Sequence, residues 1–410
     1  MRCRMYDVIV VGARCAGSPT AMLLARRGYR ALVVDKATFP SDTISSHFLH
    51  QSGVATLERW RLLDRVAATD APGVTKMSFD AGPVRIEGTA PPFDGVPQGY
   101  CIRRRVLDAI LVDAAHEAGA EVRTGFTVTE VMRDEHDRVT GIRGHSFGGR
   151  TVTERARLVI GADGVRSIVG RCVNAPFTRY LPPITCNYYT YFENLPVDGV
   201  ELFPRDGCFV VASPTNDGLT SVNVVWPAER FDQVRVNVER CWNEAVERCA
   251  PALFERMRRA ARAERFYGTP MLPNYLRRPW GDGWALVGDA GYMKDPITAQ
   301  GMTDAFRDAD LLSAAVHAGL VGRTGMNEAL AWYERSRDEH VMPMFRHTCE
   351  LARLAPMPPQ MIELLRAIAH DPSEVSRFFG TITGATSIPE YFSTENMGRL
   401  IGAPAESVAA

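Results

Sequence analysis

The first thirty-five residues constrain this chain more than any other stretch. A β-branched run, Tyr6-Asp-Val-Ile-Val-Val11, leads straight into a turn of mostly small residues, Gly12-Ala13-Arg14-Cys15-Ala16-Gly17-Ser18. The spacing predicts a helix from about Ser18 to Arg27, with Gly28 past its end as a C-cap. A second strand, Arg30 to Val34, then ends in Asp35. Strand, turn, helix and strand in that order open a parallel α/β sheet. Such a turn suits one kind of chemistry. A helix N-terminus offers unpaired N–H groups and a positive dipole end to a pyrophosphate, and glycines let the backbone come close. An acid at the end of the second strand accepts hydrogen bonds from ribose hydroxyls. The middle glycine of the G-x-G-x-x-G pattern is replaced by Arg14, so only Gly12 and Gly17 remain.

Further along, Arg104 to Ala118 reads as a helix closed by Gly119, followed by strands at 121–124, 126–133, 140–143 and 151–160. Two apolar strands end in acidic turns, Leu158-Val-Ile-Gly-Ala-Asp163-Gly164 and Trp284-Ala-Leu-Val-Gly288-Asp289. A helix from about Ala299 to His317 carries Met302, Ala305, Phe306, Ala309, Leu312 and Val316 at helical spacing. Residues 74–100 and 181–230 instead alternate apolar and polar, with Asn216-Asp217-Gly218 as a hairpin turn. A helical stretch, Gln233 to Ala263, follows them. The expected organisation is one discontinuous domain from 1–73, 101–180 and 268–325, an inserted substrate domain from 74–100 and 181–267, and a C-terminal helical region from 326 to 410.

A chain of 410 residues is long enough for two or three domains. Lys+Arg (47) and Asp+Glu (48) balance to a net charge of −1, which gives no electrostatic reason to expect nucleic acid or an anionic membrane as partner. Nine cysteines, Cys3 the first of them, include no C-x-x-C pair, so neither a metal site nor a redox dithiol is indicated. No signal peptide and no membrane-length apolar run is visible, and the expected setting is a reducing cytoplasm. No pattern points to an oligomeric state.

Three motifs stand in order: the Gly12–Gly17 turn with Asp35, Gly161-Ala-Asp163-Gly164-Val-Arg166-Ser167, and Gly288-Asp289-Ala-Gly-Tyr-Met-Lys-Asp-Pro296-Ile-Thr-Ala-Gln-Gly301. Together they resemble the FAD-dependent group A monooxygenases, the aromatic-hydroxylase-like superfamily that also holds flavin halogenases and geranylgeranyl reductases. The resemblance implies an α/β two-domain fold: a Rossmann-like FAD-binding domain with an inserted antiparallel-sheet substrate domain and C-terminal helices. It implies that Gly12, Ala13, Ala16 and Gly17 carry the FAD pyrophosphate. Asp35 would bind the adenosine ribose, with Lys36 near the adenine or phosphate and Val128 where a strand backbone meets adenine. Arg104 matches a flavin-contacting position, and Asp163 one that helps seat FAD and a nicotinamide nucleotide. Gly288 and Asp289 would approach and hydrogen-bond the ribityl chain, and Pro296 would flank the isoalloxazine ring. Thr298, Ala299, Gln300, Gly301 and Met302 would bring a helix N-terminus to the flavin N1–C2=O edge, where it stabilises negative charge on the reduced ring. After Ser167 the sequence departs: Gly170 stands where the family often has arginine, leaving Arg171 as the substitute, and this bears on which nicotinamide nucleotide is used directly.

The reaction implied first is that of a monooxygenase. NAD(P)H reduces FAD, O2 adds at flavin C4a, and the hydroperoxide hydroxylates or epoxidises an apolar small-molecule substrate, aromatic ones included. A flavin-dependent C=C reductase or dehydrogenase of the geranylgeranyl-reductase type is the alternative. A halogenase is third, since the W-x-W-x-I-P signature is absent. A flavin-binding protein without turnover is the non-enzymatic reading, and a separate flavin reductase is the other possible electron source. His47, in the loop after the second strand, is a candidate for tuning flavin or substrate protonation. His50 follows it. Tyr189 and Tyr191 share one strand face and Tyr188 takes the other, so one face is a candidate to line the pocket, with Tyr189, Tyr191 and Pro296 joining His47 as candidate catalytic residues. Met77, Phe79, Phe203 and Phe209 are candidate pocket lining. Lys294 beside the flavin motif is either a polarising group or an ordinary solvated lysine.

Overall fold

The computed structural model describes residues 5–269 and 271–402; Cys3 and the last part of the expected C-terminal region, 403–410, lie outside the described residues. Its first sheet is parallel at its centre. Strand Tyr6–Val11 lies between Val152–Gly161 and Ala31–Val34, flanked in turn by Trp284–Leu286 and Glu121–Arg123. Both faces are covered, which is why these strands read as continuous Val/Ile/Leu runs. On one face Val8, Val10, Val33 and Ile160 pack against helices Gly17–Ala25, Arg104–Glu117 and Gly301–Leu320. On the other, Ile9, Val11, Leu32 and Val34 pack beneath a ribbon made by Phe126–Arg133 and Val139–Ser146. The first helix stops at Ala25, and Gly28, at φ +84°, donates its N–H to the Ala25 carbonyl.

The second sheet runs Ala261–Arg262, Thr185–Glu193, Thr220–Pro227, Cys208–Pro214, Val200–Arg205, Lys76–Asp80, Arg85–Thr89, with Tyr267–Thr269 beside Thr185–Glu193. It is antiparallel except at one seam, where Val200–Arg205 runs parallel to Lys76–Asp80. The expected Gln233–Ala263 helix is broken into Phe231–Val236, Val238–Cys249 and Pro251–Met257, and Ala261–Arg262 is strand. Two local features cut it. Asn237 leaves helical geometry and its side chain caps the Arg240 N–H. Pro251, without an N–H, starts a new helix. These helices bury Trp242, Val246 and Leu253 against the outer face of the sheet. Its inner face meets helices Met326–Leu351, Pro359–Ile368 and Pro372–Thr383. Among the described residues no helix is long and apolar enough to cross a membrane.

Candidate active site

The carboxyl ends of the parallel strands converge on one cleft, where α/β sheets place their ligands. Gly12 has φ +105°, and a Cβ there would sit 2.3 Å from the Ala162 carbonyl oxygen. A Cβ on Gly17 would sit 1.7 Å from the Gly12 carbonyl oxygen. Both positions therefore require glycine. Asp35 accepts the Ala13 and Ala37 N–H groups, each at 2.8 Å, and so ties the turn to the second strand end. Lys36 beside it is exposed. The Phe126 N–H bonds the Asp35 carbonyl, and Val128, two residues on, is buried in the core with Phe126 and Ile142.

Arg14 folds away from the turn. Its guanidinium reaches Asp108 at 2.6 Å and Ser41 at 3.0 Å. Arg104 takes the other Asp108 oxygen at 3.0 Å. Asp108 is fully buried, and two guanidinium groups offset the cost of burying its charge. Asp108 was not among the sequence candidates; its signal was an acid four residues after Arg104 on a helix. Asp163 spends its carboxylate locally, on the Ser167 hydroxyl at 2.5 Å and the Ile168 N–H at 2.6 Å. Arg171 bonds the Arg166 carbonyl.

At Gly288, φ +59°, a Cβ would lie 2.8 Å from the Ala16 Cβ, so the third motif packs directly on the first. Asp289 keeps an exposed surface yet is surrounded by packed protein, so desolvation raises its carboxyl to about 6 against the pull of Arg104 and Lys294. Pro296–Thr298 is a tight turn, Ala299 is left-handed at φ +54°, and helix Gly301–Leu320 begins at once. Asp295 caps that turn at Ile297 and accepts the Thr185 hydroxyl at 2.6 Å, joining it to the second sheet. The Gln300 amide donates to the Ile382 carbonyl at 2.9 Å, while the Met302 side chain is buried in the core. A Cβ on Gly301 would meet nothing within 4 Å. Lys294 is not a solvated lysine. It is 5% exposed, pairs with Asp304 and bonds the Tyr292 hydroxyl, and burial pushes its pKa down.

Beside this cleft lies a cavity of about 820 Å3. Ser45, His50, Tyr189 and Pro296–Ala299 line it, as do Met77, Phe79 and Phe209 of the sheet and Met344, His347 and Phe378 of the C-terminal helices. Phe203 is absent from it: strand alternation turns that ring to the opposite face, into the core with Trp242. Tyr188 packs there too, while Tyr189 and Tyr191 cluster with Leu219 on the inner face. His47 holds φ +59°, and its Nε2 shares a 2.6 Å hydrogen bond with the Tyr191 hydroxyl; its Nδ1 is buried without a partner. Burial pushes both His47 and His50 down to about 4, so both rings are neutral at physiological pH. His50 Nε2 lies 3.1 Å from the Thr298 carbonyl. Sequence reasoning missed Arg103, which is 4% exposed. Its guanidinium bonds Asp42 at 2.6 Å and Glu264 at 2.5 Å, and lies 4.5 Å over the Tyr191 ring. It thereby staples the loop carrying His47 to the second sheet.

The glycine-lined cleft, with Asp35 at one end and Asp289 and the open Gly301 helix start at the other, fits the FAD expected from the motifs. Comparison with known proteins agrees. The family model described as FAD binding domain matches residues 5–348. A digeranylgeranylglycerophospholipid reductase of Methanosarcina acetivorans is 28% identical over 334 residues, 77% of this chain and 76% of its own length. The myxobacterial chondrochloren halogenase CndH superposes with a TM-score of 0.77 at 21% identity, covering 97% of each chain. PqsL of Pseudomonas aeruginosa, described as a probable FAD-dependent monooxygenase, superposes at 0.70 with 22% identity, covering 93% of this chain and 100% of its own.

Proposed function

The chain belongs to the FAD-binding-domain family of oxidoreductases, and from that premise we propose that it is a monooxygenase that draws electrons from NAD(P)H and acts on a large apolar small molecule in a reducing cytoplasm. The observation that carries this reading is the cavity of about 820 Å3, apolar over most of its lining, that opens on Pro296–Ala299. When bound, FAD supplies the electron-transfer and oxygen chemistry. Gly12, Ala13, Ala16 and Gly17 would hold its pyrophosphate, Asp35 its ribose and Asp289 its ribityl chain. The N–H groups opening helix Gly301–Leu320 would face developing negative charge on the ring. The apolar walls exclude water from the reacting atoms. Tyr191 and His47 share one proton between hydroxyl and Nε2 without a net charge, and Tyr189, pushed up to about 12 by burial, keeps its own.

Carbon–carbon double-bond reduction is the second reading, favoured by the similarity to the Methanosarcina reductase. One experiment separates them. The purified flavoprotein is reduced by NADPH or NADH and offered labelled O2 and candidate substrates. A product carrying one labelled oxygen supports the monooxygenase. An oxygen-independent product richer by two hydrogens replaces it with the reductase. Flavin that neither nucleotide reduces moves the electron source to a separate reductase.

A further inference from the structure

The floor of the cavity is not uniformly apolar, and its pattern follows from register. One row across the sheet runs Tyr189, Asn223, Val211, Leu202, Phe79 in directly opposed pairs. In the adjacent row Tyr191 opposes Ser221 and Ser221 opposes Ser213, and further across Val200 opposes Met77. Hydroxyl and amide groups therefore stand together on the central strands, and hydrocarbon takes over toward the Val200–Arg205 and Lys76–Asp80 strands, where the Phe79 ring meets Phe378. Asn223 stands out within the polar end. It lines the cavity, yet its Oδ1 has no hydrogen-bond partner. Asn187, on the same face of the sheet, is satisfied by the Thr269 hydroxyl at 2.5 Å. A buried carboxamide oxygen without a partner is costly, and a partner brought by the ligand removes the cost. Within the lining, burial keeps His50 neutral and Tyr189 protonated, and Arg205, Arg346 and Glu350 also border the cavity.

We infer that the substrate is an amphipathic molecule whose hydroxyl or amide seats on the Asn223 carboxamide, with its hydrocarbon body extending over Leu202 and Phe79 toward Phe378. The inference rests on the cavity being the substrate site, as proposed above, but not on which reaction occurs there. The alcohol donates to Oδ1 or accepts from Nδ2, and rotation of the amide presents either end.

Equilibrium dialysis of the full-length flavoprotein against radiolabelled 1-decanol and radiolabelled decane tests it, with no nucleotide present. The alcohol is expected to bind about tenfold more tightly than the alkane. In Asn223→Leu that preference is abolished or reversed, with flavin content and melting temperature unchanged. In Phe378→Trp, which fills the hydrocarbon end, both ligands weaken alike. Equal binding of the two by the parent protein, a preference that survives Asn223→Leu, or no binding of either overturns the inference. None of these outcomes touches the oxygenase reading, which fails instead if the protein takes up no FAD or consumes no oxygen.

Discussion

At the scale of single residues, the site is built from groups whose ionisation burial has moved. His50 is the cleanest case. Its pKa is about 4 in the fold against 6.5 when unfolded, a difference of about 3 kcal/mol once the pH is well below 4. The sign follows from proton counting: between pH 6.5 and 4 the unfolded chain binds the proton and the native chain does not. The contribution is therefore intact above pH 6.5 and is lost as pH falls toward 4. His50→Gln, which keeps a donor for the Thr298 carbonyl, is expected to lose less melting temperature than the parent between pH 7 and 4.5, as read by circular dichroism. Arg103 supports a second prediction. Its removal takes from Asp42 and Glu264 the cation they share beside Tyr191. Arg103→Ala should cost about 3 kcal/mol in denaturant titration. Arg103→Lys should keep most of that stability but lower kcat by about tenfold, because a single ammonium cannot hold both carboxylates in the planar geometry that fixes the His47 loop. A kcat unchanged in the lysine variant would remove Arg103 from any positioning role.

At the scale of elements, the cleft proposed for the cofactor is a meeting of turns. The Gly12–Gly17 turn, the Asp163 turn and the Gly288 turn each sit at the carboxyl end of a parallel strand, and they touch one another through glycines. Gly12→Ala drives a methyl into the Ala162 carbonyl oxygen at 2.3 Å, so the purified variant is expected to carry little or no flavin and to melt earlier. Gly301→Ala is the informative companion. Its Cβ meets no protein atom within 4 Å, and alanine favours a helix by up to about 1 kcal/mol. The apo-protein should be as stable as the parent or more so, while its FAD dissociation constant rises severalfold in fluorescence titration. An unchanged constant would mean that the ring does not approach this helix start. The glycine turns and the strands before them were legible from local spacing alone, since a turn that needs positive φ demands its residue type wherever it is placed. The broken helix after residue 230 was not, because Asn237 acts as a cap only through its own backbone geometry.

At the scale of the molecule, the C-terminal helices wall the cavity of about 820 Å3 rather than standing apart from it. Phe378 and Phe379 of helix Pro372–Thr383 share one core with Met77, Ile86 and Leu202 of the second sheet. The Thr298–Thr348 hydroxyl pair at 2.9 Å and the Gln300–Ile382 bond tie those helices to the flavin motif. Sheet and helices should therefore unfold together. Phe379→Ala, at a site with no exposure, is expected to cost about 3–5 kcal/mol and to shift a single calorimetric transition, with flavin release at the same temperature. Two separated transitions would show the helical region to be an independent unit.

What the amino-acid sequence determined by itself is the parallel sheet, its glycine turns and the acids that follow them, because each is set by neighbours a few positions apart. The tertiary structure alone decided the rest. Arg103 and Glu264 are 161 positions apart and His47 and Tyr191 are 144 apart, so nothing in local spacing pairs them. The same holds for the roof of the cavity: its helices are amphipathic in sequence, but only packing decides which surface their apolar faces close over.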